Sequence, residues 1–329
     1  MPTDQTTAPA LQDHLAEPLR VGAPTVHGAL AVFPLFGPPP RLEYLSFAQG
    51  AVLGVSIKEL ETMASVNDLL VVNRLDKPVL LYEGEEVLGA QQNRTFDVSV
   101  LVAARSQLQV PVSCVERGRW DGARHGEAFT PAPQAAYPAL RRIKNQAASA
   151  RAVAGLEARA VQSEVWAEVA QKSDRMAAAS PTGAMHDIYE RRRDQLRDFE
   201  DTVALHDGQI GAIAAIGGAI TVLDHVSRPD VFAALHAPLV HGYALDALEA
   251  SETGEPPARS EVEAFAHSII SARISERDGI GMGRDARFAG GAALVAGDEL
   301  VQLTAFAGED RPAAAHPTRI RRSSRRRAG

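Results

Sequence analysis

Residues Lys77–Trp120 read KPVLLYEGEEVLGAQQNRTFDVSVLVAARSQLQVPVSCVERGRW. Short apolar runs alternate here with turn-forming or polar breaks at Gly84 and at Gln91–Thr95, and Asp76-Lys77-Pro78 closes off the run before them. Short strands at this spacing predict an antiparallel sandwich- or barrel-like sheet. Val79–Glu83 and Glu86–Gly89 read as a hairpin around Gly84-Glu85, with Glu83, Glu85 and Glu86 at its tip. In the strand Leu108–Glu116, alternation assigns Leu108, Val110, Val112, Cys114 and Glu116 to one face.

Upstream, Ala29–Phe36 reads as a buried strand ended by three prolines at 38–40. Leu42–Gln49 reads as helical turns before a strand over Val52–Ile57. Downstream, apolar residues at helical spacing from Leu140 to Val169 predict one long helix over about 139–179, and a charged helix over 184–205 follows. Gly217-Gly218 forms a tight turn between two strands. Helices over 229–250 and 260–275 then lead to a last strand pair joined at Gly297-Asp298. The fold class is therefore α+β, an antiparallel sandwich- or barrel-like sheet with a long helical insertion packed on it. The expected organisation is a disordered lead-in over 1–24, a single α+β domain over 25–308 and a disordered basic tail over 309–329.

Cys114 is the only cysteine among 329 residues, which excludes intrachain disulfides, CxxC pairs and multi-cysteine zinc sites. The ten histidines form no HExxH or HxH pattern. Removing the six arginines of Arg319–Gly329 from the net charge of −7 leaves −13 on the first 318 residues. A body that acidic does not read as a nucleic-acid binder, so any such contact is assigned to the basic tail. The longest apolar stretch, Ile210–Leu223, is 14 residues with three glycines, short of the roughly 20 a bilayer span needs. No membrane association is expected, and with no basic-then-apolar leader the chain reads as cytoplasmic. Gly279, Gly281 and Gly283 follow a helix and precede a strand, the reverse of a dinucleotide fingerprint, and read as a flexible loop.

Candidate chemistry gathers in the opening segment. Gln92, Asn93 and Arg94 offer amides and a planar guanidinium, a set suited to ribose hydroxyls and phosphate; the alternative is a turn with Asn93 in the left-handed region. Glu116 reads either as the edge of a core face, where burial would raise its pKa into the range useful in acid–base work, or as a solvated strand end. Cys114 reads as either a buried inert thiol or a nucleophile. Arg119 and Trp120 could clamp a phosphate and stack a base, or simply stack on each other. Gln162 and Trp166 lie one helical turn apart and are read either as packing or as part of a helical lid over the strand site.

The pieces EGEEVLGAQQNR (83–94), VPVSCVERGRW (110–120) and, more loosely, QSEVWAEV (162–169) resemble the ADP-ribosylglycohydrolase- and rhodanese-phosphatase-associated domain family, over roughly residues 28–307. The resemblance implies handling of a nucleotide or ADP-ribose-type ligand and an ADP-ribosylglycohydrolase or phosphatase partner. It names no reaction and no cofactor. On matching positions it implies Glu83, Glu85, Glu116 and Cys114 as catalytic candidates and Gln92, Asn93, Arg94, Arg119 and Trp120 as ligand contacts. Gln91 against Gln92 and Glu85 against Glu86 stay open in register. One reading is a hydrolase or transferase acting on a ribose or phosphate linkage, with Mg²⁺ on a carboxylate cluster if the linkage is a phosphoester. The others are a non-enzymatic ADP-ribose- or nucleotide-binding module, and a scaffold.

Overall fold

The computed structural model describes residues 9–60, 67–119, 121, 124, 126–250 and 252–308. In chain order the strands begin with β1 (Arg20–Val21), β2 (Thr25–His27), β3 (Leu30–Phe36) and β4 (Leu45–Ser46). Helix α1 (Phe47–Val52) precedes β5 (Ser56–Glu59), β6 (Asp68–Asn73), β7 (Val79–Leu81), β8 (Glu85–Leu88), β9 (Arg94–Phe96), β10 (Val100–Val102), β11 (Ser106–Cys114) and β12 (Thr130–Ala135). Four helices follow: α2 (Pro138–Val153), α3 (Gln162–Arg175), α4 (Met185–Glu190) and α5 (Arg193–Thr202). The chain then forms β13 (Gly211–Ile216), β14 (Ala219–Val226), α6 (Pro229–Glu249) and α7 (Arg259–Ile270). Strands β15 (Ser275–Asp278), β16 (Arg284–Phe288), β17 (Gly291–Ala296) and β18 (Glu299–Phe306) complete it.

This is an α+β fold built on three sheets. The largest runs β1-β3-β13-β14-β18-β17-β16-β15, with β2 also on β3; a second runs β12-β8-β9-β11-β6-β5, and a third β10-β7-β4. Among the described residues all pairings are antiparallel except β4 with β7. The large sheet buries both faces. On one, Val222 and Val226 pack against α6 and the inserted helices; on the other, Phe33, Leu223 and Leu303 pack with Val262 and Ala266 of α7. The remaining sheets share a separate core around Phe47, Val71, Phe96 and Val112. Helix α6 is long and apolar enough to cross a membrane, but here it lies within the first core, with Phe232, Leu239 and Tyr243 buried.

Several sequence expectations need correction. β7 and β8 do not form a hairpin: β7 pairs with β10 and β4, and β8 with β9 and β12. Gly84 instead turns the chain from one sheet to the next, at φ +84°, with the Arg141 side chain 2.8 Å from where a Cβ would stand. Consequently Glu83, Glu85 and Glu86 are buried, not held at a hydrated tip. The predicted long helix divides into α2 and α3, and the predicted charged helix into α4 and α5. Gly155, at φ +73°, lies in the break after α2, where a left-handed residue ends a helix readily. Leu45-Ser46 is a short strand before α1, and the next strand starts at Ser56. Gly279–Gly283 links β15 to β16 as a hairpin connection, with the Gly279 amide bonded to the Gly283 carbonyl.

The lead-in is structured from residue 9. Leu11 is fully buried on the α7 side, and Arg20 and Val21 pair with Phe36 and Leu35. The basic tail from residue 309 lies outside the described residues.

Candidate functional site

The sequence pieces meet where β9 and β11 leave the second sheet. Along β11 and just past its end, backbone amides bond to opposite sides: Val112 donates to the Asn67 carbonyl beside β6, and Val115 to the Asn93 carbonyl. β6 pairs with β11 only as far as Pro111. Beyond that point the side chain of Gln162, the first residue of α3, completes the ladder. Its amide accepts from the Cys114 N–H and donates to the Cys114 carbonyl, both at 2.8 Å. A side-chain amide carries both a donor and an acceptor and so can mimic a strand partner. Helix α3 is thereby docked on the strand, with Trp166 under the guanidinium of Arg117 at 5.4 Å.

Gln92 holds the centre. Its Nε2 donates to the Glu116 carbonyl at 2.8 Å, and its Oε1 accepts from Arg94 Nη1 at 3.0 Å and from the Cys114 thiol at 3.1 Å. Gln91 is turned to Glu59, whose carboxylate accepts its backbone N–H. The left-handed residue of the turn is Ala90, at φ +43°, not Asn93. That conformation presents the Ala90 carbonyl to Arg119 Nη1 at 2.8 Å.

Glu116 is almost enclosed. Oε2 accepts from Arg119 Nε at 2.8 Å and from the Asn93 N–H at 3.2 Å, and Oε1 accepts from the Thr182 hydroxyl at 2.8 Å. Thr182 is brought there by a close backbone contact: the Gly118 N–H donates to its carbonyl, and a Cβ on Gly118 would lie 2.9 Å from that oxygen. Burial pushes the Glu116 carboxyl up, but Arg119, Thr182 and the Asn93 amide outweigh it and hold the pKa below the usual range. The raised-pKa reading is therefore overturned, and so is the solvated strand end, since Glu116 is buried. Three donors to the charged form win over desolvation.

Burial raises the Cys114 thiol against the opposing pull of Arg94. A protonated thiol that donates to Gln92 and to the Glu116 carbonyl at 3.2 Å is a hydrogen-bond donor, not an activated nucleophile. Arg94 is 1% exposed. Its Nη2 stands 3.8 Å from Glu59, and its Nε has no hydrogen-bond partner among the described residues. Burial lowers its pKa despite the nearby charges of Cys114 and Glu59. Trp120 lies outside the described residues.

Glu83 and Glu85 belong elsewhere. Glu83 accepts from Arg141 Nε at 2.9 Å, and Arg141 also bonds Asp224, which accepts in turn from Tyr82, Tyr243 and Thr304. Among the described residues Glu85 accepts only the Tyr82 N–H, and burial pushes its pKa to about 8. Among the described residues no three ligating side chains converge as a metal site, and the carboxylates expected to cluster are dispersed among separate partners.

Arg141, Asp224 and Lys144 escaped the sequence reading. Asp224 has the inward parity of Val222 and Val226, a lone carboxylate inside the run ITVLDHV, and that was its signal. Glu86 is also newly placed. Its Oε2 accepts from Gln134 at 2.6 Å, and Gln134 contacts His186 Nδ1 at 2.8 Å. Its Oε1 is buried without a partner. Burial first, then the charges of Glu116 and Asp187, raise its pKa to about 8 against the Gln134 hydrogen bond.

With this geometry in hand, comparison with known families matches residues 18–306 to the ARG and Rhodanese-Phosphatase-superfamily-associated Protein domain, ARPP-1. The chain belongs to the ARPP-1 family. The match spans β1–β18 and every described residue of the Gln92–Glu116–Arg119 cluster. The family's description associates it with ARG and with the rhodanese-phosphatase superfamily. No curated protein and no solved structure matches the chain.

Proposed function

We propose that this ARPP-1 protein is a cytoplasmic binding module for an ADP-ribose- or nucleotide-type anion. The observation that carries the reading is Arg94. A guanidinium 1% exposed, with an orphan Nε and its ion-pair partner Glu59 at 3.8 Å, is under-compensated for its burial. Leaving a buried cation short of partners costs several kcal/mol, and an anionic ligand would supply them. Gln92 and Asn93 offer neighbouring amides for ribose hydroxyls, and Arg119, partly exposed, stands beside them. The association of ARPP-1 with ARG and the rhodanese-phosphatase superfamily supports a ligand of this chemistry and a partner from those groups.

Binding is favoured over hydrolysis because Glu116 is held ionised by three donors and Cys114 is held protonated. One observation favours a second reading as a hydrolase: Glu86, with its orphan buried oxygen and pKa of about 8, has the protonation suited to a general acid.

Thermal unfolding with ADP-ribose, AMP and ribose 5-phosphate tests the proposal. A ligand at 100 times its Kd adds about 2.7 kcal/mol. The shift with ADP-ribose should vanish in Arg94→Met and shrink in Arg119→Lys. If none of the three ligands shifts the midpoint, the anion reading is lost. Turnover that disappears in Glu86→Gln while binding persists would select the hydrolase.

A further inference from the structure

A cleft lined by none of the Gln92-cluster residues lies between α2 and the β15–β16 end of the large sheet, with a volume of about 480 Å³. Its size is that of a small-molecule site. The β15–β16 ladder pairs Ser275 with Arg287 and Arg277 with Asp285, so alternation turns all four side chains to one face. Asp285 sits between the arginines, accepting from Arg277 Nε at 2.8 Å and from Arg287 Nε at 3.0 Å. Arg287 Nη1 donates across the cleft to Ser149 of α2 at 3.1 Å. One carboxylate serves two guanidiniums, which leaves one positive charge. Among the described residues the cleft is lined by both arginines and by no acidic side chain, in a body whose net charge is strongly negative.

Asn145 provides the second, independent indication. It lines the cleft, is only 8% exposed, and its side-chain amide has no hydrogen-bond partner among the described residues. Its amide is not sealed in the interior with the orphan groups of the core, so it opens on the cleft, where a ligand can meet it. Phe288 and Val153 add apolar surface, Val153 being 91% exposed at the rim. We infer that this cleft is a binding site for a small organic monoanion, a carboxylate on an apolar or aromatic body. Arg287 and Asn145 would hold the carboxylate, and Phe288 and Val153 would cover the body. A single surplus positive charge matches a monocarboxylate better than a phosphate dianion, and a planar guanidinium suits carboxylate oxygens.

Calorimetric titration of the full chain with benzoate, benzamide and phenyl phosphate tests the assignment. Benzoate should bind saturably, and benzamide, its neutral counterpart, should not. Asn145→Leu should weaken benzoate about ten-fold, the loss expected for one hydrogen bond to a charged group. Val153→Asp changes a side chain that packs on nothing and adds a negative charge at the rim. It should weaken benzoate without altering the unfolding midpoint or any response to ADP-ribose, so the outcome is separate from the Arg94 site. Equal binding of benzamide, phenyl phosphate binding without benzoate, or wild-type benzoate affinity in Val153→Asp would each overturn the inference.

Discussion

Replacing Glu86 by glutamine should stabilise the protein at neutral pH and do little in acid. Glu86 is 1% exposed, and burial raises its pKa from 4.5 to about 8. A carboxyl whose folded-state pKa lies above its unfolded value is protonated in the native state after the unfolded chain has lost its proton. Its contribution is therefore fully present below about pH 4.5 and is lost as pH rises toward 8. Each pH unit in that window costs about 1.4 kcal/mol, so by pH 7.5 the loss is about 4 kcal/mol. Glutamine has no proton to lose, and its amide oxygen can still accept from Gln134. Urea unfolding of wild type and variant at pH 4.5 and 7.5 reads the effect as a difference of differences, in which all other titrations cancel. The expected result is near-equal stability at pH 4.5 and a variant advantage of about 4 kcal/mol at pH 7.5. An advantage of the same size at both pH values, or none at pH 7.5, would refute the assignment of a protonated Glu86.

Two other outcomes follow from the buried polar groups. Asp224→Ala strands Arg141, which is fully buried and has Glu83 as its other carboxylate, and should cost about 3–5 kcal/mol in denaturant unfolding; a loss under about 1 kcal/mol would contradict the network. Cys114, buried and raised in pKa, should resist an aromatic disulfide reagent at pH 7.5 in the native protein and react at once in denaturant. Native-state labelling at the rate of a free thiol would restore Cys114 as a nucleophile.

The sequence carried the strand-rich segment and the hairpins at Gly217-Gly218 and Gly297-Asp298, because turn glycines and alternation act over a few residues. It also brought Gln92, Asn93, Arg94, Cys114, Glu116 and Arg119 forward together, and these six do converge. It misjudged Glu83, Glu85 and Glu86. Charge beside a glycine reads as a solvated turn, and nothing local reveals that Gly84 turns between sheets instead of within a hairpin. The break after Val153 was also missed, although Gly155, a residue that readily ends a helix, marks it.

By itself, then, the sequence determined the α+β class, the antiparallel strands and most helix positions, since periodicity and turn chemistry are properties of neighbouring residues. Only the tertiary structure decided which carboxylates are ionised. Glu116 keeps its charge because Arg119, Asn93 and Thr182, the last 66 residues away, surround it, whereas Glu86 meets Gln134 and little else. A pKa is set by the sum of burial and long-range partners, and that sum exists only once the chain has folded.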